Sequence, residues 1–204
     1  THGEVMPPTG EPTHGTSMAD TILRGISMSL PEGSDSSSVR ILPVDVYGNN
    51  EISTTFDVAD GITRAIIDGN ARVINLSLGG TGNTKFLETI IVNGTKNGIA
   101  FIASAGNTPV TTPTFPAAFP DVLAVTAGDR DGSLAAYANR GEFVDVIAPG
   151  GTIVSYGGSS YYVSGTSPAS AITAGIVMGI AEGAGGSGQA GIKHMRERFP
   201  FTGP

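Results

Sequence analysis

Short apolar runs that end on glycine or asparagine alternate along this chain with segments of helical periodicity, and that alternation restricts the fold more than any other property of the sequence. Val73–Leu78 ends at Gly79-Gly80, and Ile99–Ser104 ends at Ala105-Gly106-Asn107. Val122–Thr126 and Phe143–Ile147 are shorter β-rich runs bounded by Pro and Gly. Around them, Met18, Ile22 and Ile26 recur every fourth residue, Val58, Ile62, Ala65 and Ile66 share one helical face, and Phe86, Leu87, Ile90 and Ile91 share another. Strands alternating with helices in this way form a largely parallel sheet with helices packed on its faces. The expected fold is α/β, a three-layer sandwich with a mostly parallel central sheet.

Helices are expected over about 14–28, 57–68 and 169–182. Arg40–Val46 reads as a further strand that Pro43 restricts to a bend or an edge position, and Pro31–Ser38 reads as a loop. Gly157-Gly158 divides Ile153–Val163 into a hairpin. Gly175 and Gly179 lie four apart in Ala169–Glu182 and suit close backbone packing of a central buried helix. A Gly/Ser-rich linker, Gly183–Gly188, leads to an amphipathic helix on which Lys193, His194, Arg196 and Arg198 form a solvated face. With 204 residues and no internal repeat, 1–204 is expected to be a single domain.

Composition excludes several partners. Eighteen acidic residues outnumber 11 Lys and Arg, for a net charge of -7, so phosphate backbones are repelled and nucleic acid is not an expected ligand. The absence of cysteine excludes disulfides, a thiolate nucleophile and Cys-based zinc sites. The longest apolar stretch, about Ala171–Ala181, is far short of the roughly 20 residues that span a bilayer. Thr1–Pro12 is polar and Pro-rich, unlike a signal peptide, so an exported form would be the processed chain. Asn75-Leu76-Ser77 and Asn93-Gly94-Thr95 match glycosylation sequons that are read as incidental.

Ligand sites of open parallel sheets lie beyond the carboxyl ends of the strands. Three small-residue clusters sit at such ends or at the adjoining helix starts: His14-Gly15-Thr16, Ser104-Ala105-Gly106-Asn107 and Gly165-Thr166-Ser167-Pro168-Ala169. A serine at a helix N-terminus has an accessible hydroxyl and nearby unpaired N–H groups that can stabilise an oxyanion. His, Asn and Ser would together supply a base, an oxyanion donor and a nucleophile. The chain lacks the Gly-x-Ser-x-Gly elbow of esterases and lipases. Gly79-Gly80-Thr81-Gly82 lacks both the P-loop lysine and the full dinucleotide fingerprint.

His14-Gly15-Thr16-Ser17-Met18-Ala19, Val73–Gly80, Ala105-Gly106-Asn107 and Gly165-Thr166-Ser167 occur in the order that resembles the subtilisin-like serine proteases, or subtilases. Phe115–Val125 and Val144–Gly150 resemble the connecting segments of the same family, and the resemblance covers about 14–182. It implies a serine endopeptidase in which His14 is the general base, Asn107 the side-chain oxyanion donor and Ser167 the nucleophile. Ser77, Leu78, Gly79 and Gly80 resemble the strand that pairs with an extended polypeptide substrate, and Ser53, within Glu51–Ser53, falls where the opposite binding strand belongs. No cofactor is required by that chemistry. Calcium stabilises many members, yet no carboxylate-rich loop here has ligand spacing, and Glu32 and Asp35 fit one poorly. By the same resemblance the expected location is extracellular or in the cell envelope.

Two residues rival these assignments. Ser17 lies in its own Gly-Thr-Ser, but precedes the Leu-Gly-Gly strand, and His2 lacks the helical continuation that follows His14. The resemblance also implies an aspartate on an early strand, in an Asp-Ser/Thr-Gly motif, and no Asp precedes His14. Asp20 is six residues along the His14 helix, Asp45 is in a strand position where the family has no triad acid, and nothing marks Glu4 or Glu11 as the partner. The fold would therefore lack one N-terminal strand. The acid would come from a longer polypeptide or a separate N-terminal fragment; alternatively the chain is a catalytically impaired module that binds peptide or serves a structural role.

Overall fold

The computed structural model describes residues 10–203 apart from 31, 33, 35 and 184–186; His2, Glu4 and Asp35 lie outside the described residues. Four strands form a parallel sheet in the order β1 (Val73–Leu76), β2 (Ala100–Ser104), β3 (Val122–Gly128), β4 (Val146–Pro149). Strand residues alternate between faces, and the two faces of β2 are equally apolar. Phe101 and Ala103 pack in the cluster with residues of α2 (Thr55–Ile67) and α3 (Lys85–Lys96). Ala100 and Ile102 pack in the cluster with residues of α4 (Thr166–Gly183) and α5 (Gly188–Arg198). That double burial is why the strand reads as a continuous apolar run, and it makes the three-layer α/β sandwich. No described helix is long and apolar enough to cross a membrane.

The helices begin where hydroxyl and carboxylate side chains can take up the orphan N–H groups of a first turn. Thr13 Oγ1 accepts from Thr16 N–H at 3.1 Å at the start of α1 (His14–Ser29). Thr54 and Asp57 form a reciprocal capping box on α2. α4 starts at Thr166, ahead of the expected Ala169, because Pro168 is tolerated in a first turn whose N–H groups lack partners in any case.

α1 and α4 run side by side in the same direction with their backbones in close approach. A Cβ built on Gly25 would meet Ile172 O and stand 3.0 Å from Gly175 Cα; one on Gly175 would stand 2.8 Å from Gly25 Cα. At 1.5 Å of rise per residue, His14 and Ser167 lie about 16 Å and about 12 Å back from that crossing, at the same end of the helix pair.

The hairpin is β5 (Gly151–Tyr156) and β6 (Ser159–Ser164), turning at Gly157-Gly158. Arg40–Val46 differs from expectation and forms no strand. Val44 and Val46 pack against the cluster formed with α2 and α3, but β1 has β2 on one side and no described strand on the other. Strand structure requires a partner ladder, and an apolar pattern alone does not supply it. The opposite edge is covered: Phe201 N–H donates to Asp145 O at 2.8 Å and Ile147 N–H to Phe199 O at 3.3 Å. The solvated face expected on α5 is also partly engaged, since Arg196 bonds both oxygens of Asp145 at 3.0 and 3.3 Å.

Of the Pro31–Ser38 segment, Ser37 and Ser38 are clamped to the end of α4. Both hydroxyls and the Ser38 N–H donate to Glu182, at 2.5 to 2.7 Å. These bonds hold its carboxyl below the ordinary value of 4.5. A depressed carboxyl contributes stability above its unfolded value that is lost as pH falls through the folded one. Glu182→Gln should therefore melt below wild type at neutral pH, and the gap should close as pH drops below about 4.5; a gap independent of pH in thermal melts would contradict this.

Candidate active site

Ser167 is the second residue of α4, half-buried, and its hydroxyl donates to Ser77 O at 3.4 Å. Ser77 in turn donates from Oγ to Ser167 O at 3.0 Å and lies 2.9 Å from Ser170 Oγ. The end of β1 and the start of α4 are thus tied together by short polar side chains. Asn75 Nδ2 joins the cluster by donating to Ser77 Oγ at 2.9 Å, while Asn75 Oδ1 is buried without a partner among the described residues.

Asn107 follows β2 in an exposed turn, and its carbonyl is fully used. Asn107 Oδ1 accepts from Thr166 N–H at 2.9 Å and from Thr166 Oγ1 at 3.0 Å. Thr166, buried to 1 % exposure, also accepts from Gly106 N–H at 3.0 Å. An N–H donor demands the oxygen of the amide, so the network fixes which way Asn107 is turned and leaves its NH2 as a donor. Gly165, at φ +146, lets the chain enter α4 there, and a Cβ would crowd Asn107 Nδ2 at 3.3 Å. Thr166 stands inside the Gly-Thr-Ser motif, yet nothing in the sequence distinguishes its clamp on Asn107.

His14 is the first residue of α1, exposed on one side. The protein packed around its ring desolvates the imidazolium and holds its pKa below the ordinary 6.5. Among the described residues no carboxylate forms an ion pair with His14. Asp20 pairs loosely with Arg24 at 3.8 Å, Asp45 closes its own turn by accepting from Tyr47 and Gly48 N–H at 2.9 Å, and Glu11 is exposed. His14 and Ser167 share no hydrogen bond. The rival Ser17 is 4 % exposed and spends its hydroxyl on Thr13 O.

Gly80 is paired through its backbone. Its N–H donates to Phe115 O at 2.9 Å and its carbonyl accepts from Phe115 N–H at 2.8 Å, so its N–H is already committed within the chain. Backbone groups alternate direction along an extended chain, which leaves Ser77 and Gly79 facing the other way from Leu78 and Gly80. Ser53 is half-buried and donates to Val46 O at 2.6 Å. A Cβ on Gly82 would lie 3.8 Å from Thr55 Oγ1, so the chain after Ser53 flanks the stretch that follows Gly80. No three His, Asp or Glu side chains converge as metal ligands among the described residues.

The profile of the subtilase family matches residues 2–195. The chain is 39% identical over 165 residues to a thermophilic serine proteinase of Bacillus sp. (strain AK1), covering 80% of this chain and 41% of that protein. It is 34% identical over 202 residues to thermitase of Thermoactinomyces vulgaris, covering 95% and 70%. A solved structure of a cold adapted subtilisin-like serine proteinase superposes with a TM-score of 0.78 at 26% identity, over 91% of this chain and 67% of that one. This chain therefore spans about two fifths of the first relative and about two thirds of the others. A helix pair that brings His14 and Ser167 to one end, a parallel sheet that delivers Asn107 to the start of α4, and a match along nearly the whole sequence agree: the chain belongs to the subtilase family.

Proposed function

We propose that this chain carries the nucleophile, base and oxyanion donor of a serine endopeptidase acting on extended polypeptide outside the cell or in its envelope. The observation that carries the reading is the Thr166 clamp, which takes up the Asn107 carbonyl and leaves its NH2 as a donor at the start of α4. Ser167 Oγ attacks the peptide carbonyl carbon as His14 takes its proton; the oxygen becomes an oxyanion held by Asn107 Nδ2 and the Ser167 N–H at the unpaired start of α4. Collapse breaks the C–N bond, His14 returns the proton to the leaving amine, and water then hydrolyses the acyl-serine by the reverse route. Ser77 and Gly79 would pair with the substrate as an added β-strand.

Two observations favour a second reading, a subtilase domain that binds peptide without cutting it. The Ser167 hydroxyl is turned to Ser77 O and not to His14, and no described carboxylate forms an ion pair with His14. The first reading therefore includes an acid supplied by a longer polypeptide or a separate fragment, placed on the open side of β1. Peptide mapping after exposure to a fluorophosphonate decides between them. An adduct on Ser167 that is lost in His14→Ala is the expected result; a folded chain left unlabelled even with an acid-bearing segment would establish the binding module.

A further inference from the structure

Asn139 is fully buried, at 0 % exposure, in the connection between β3 and β4, and none of its polar atoms serves its own segment alone. Its Nδ2 donates to Ala105 O at 2.8 Å. Its Oδ1 accepts from Thr108 N–H at 2.9 Å, from Thr108 Oγ1 at 3.2 Å and from Val110 N–H at 3.4 Å. Its backbone N–H donates to Gly106 O at 2.9 Å, and its own carbonyl accepts from Thr126 Oγ1 on β3. Every one of these loop partners flanks Asn107, with Ala105 and Gly106 before it and Thr108 and Val110 after it.

We infer that Asn139 is the positioning residue of the oxyanion donor: its buried amide is the template around which the turn carrying Asn107 is folded. Thr166 sets the rotation of the Asn107 side chain, while Asn139 sets where its backbone stands. A primary amide suits the place because the template must donate on one side, to Ala105 O, and accept on the other, from Thr108 and Val110. Aspartate would present an acceptor to the Ala105 carbonyl, and leucine would leave several buried partners unmet. Gly106 completes the fit. It holds φ +108, and a Cβ there would stand 2.5 Å from Asn139 Nδ2, so only glycine lets the turn close down on the amide.

The inference rests on the proteolytic reading, and a double-mutant cycle separates the two. Removing an oxyanion donor costs about 10² to 10³ in kcat, and a displaced donor should forfeit part of that. Asn107→Ala, Asn139→Asp and their combination are compared in fluorophosphonate labelling of Ser167 and in peptide turnover, with an acid-bearing segment present. Asn139→Asp should slow both by about 10- to 100-fold with KM little changed, since a transition-state contact alone is lost. The combination should be no slower than Asn107→Ala by itself, which a residue of general structural importance would not produce.

Normal rates for Asn139→Asp, or a combined loss equal to the product of the single losses, would overturn the inference. If Asn139→Asp does not fold, Gly106→Ala drives the turn off the same amide from the exposed side and should give the same non-additive pattern. A wild type that never labels would sink the proteolytic reading instead. Amide hydrogen exchange then decides for Asn139: faster exchange confined to 105–110 in Asn139→Asp supports the template, and unchanged exchange there refutes it.

Discussion

Gly175→Val will destabilise the fold by about 3 kcal/mol or more, beyond the usual range for an overpacked core, and will dismantle the site with it. Overpacking is usually relieved by rotating neighbouring side chains, but here the neighbours are backbone. A Cβ on Gly175 meets Ile22 O and stands 2.8 Å from Gly25 Cα and 2.9 Å from Ile26 N. The only relief is separation of α1 from α4, the two helices whose N-termini carry His14 and Ser167. For a chain of this size each kcal/mol shifts Tm by about 2–4 °C, so thermal melts should fall by about 10 °C with loss of Ser167 labelling. Gly15→Ala is the contrast on the same helix pair: its nearest neighbour is Thr13 Oγ1 at 4.0 Å, and alanine is favoured over glycine in a helix by about 1 kcal/mol. A Gly175→Val protein that melts within a degree or two of wild type would show that the helix contact yields easily.

That contact is legible in the sequence, because two glycines four apart in an otherwise apolar helix open a face that a second backbone can approach. The sheet is legible for a related reason: β2 and β3 are buried on both faces, and only a covered parallel sheet asks for unbroken apolar runs. Arg40–Val46 has a strand's composition without its structure, because pairing is a property of two strands and periodicity reports on only one. The solvated pattern of α5 conceals the Arg196 contact because Asp145 is 51 positions away.

The candidate site divides along the same line. His14, Asn107 and Ser167 stand in short local motifs, so their order alone brings them into view. Thr166 and Asn139 act through bonds that span 59 and 31 positions and leave no periodic trace. The pairing of the Gly80 backbone with Phe115 likewise has no signature in side-chain identity.

An acid-bearing segment should raise the chain's activity by more than Ser167→Ala lowers it in the absence of a triad acid. The segment to test is an apolar strand ending in an Asp-Ser/Thr-Gly motif, added in trans or joined ahead of Thr1, with the Asp→Asn segment as control. In subtilisin, loss of the aspartate alone costs about 3 × 10⁴ in kcat, whereas loss of the serine, or of the whole triad, costs about 2 × 10⁶. Acting as a unit, the three are far from additive. In the absence of a triad acid, Ser167→Ala should cost only about 10²; with the acid in place it should cost about 10⁶, because kcat rises by about 10⁴ on addition.

His14 reports the same event independently of turnover. Burial now holds its pKa below 6.5, and a carboxylate within hydrogen-bonding reach favours the imidazolium and must raise it. The His14 ring resonances should therefore titrate at higher pH with the Asp segment than with the Asn segment, and the acid limb of the pH–rate profile should move the same way. If both segments stimulate equally, the gain comes from closing the open edge of β1 and not from the acid. If the His14 titration does not move while turnover rises, the acid works elsewhere and the assignment of His14 as its partner fails.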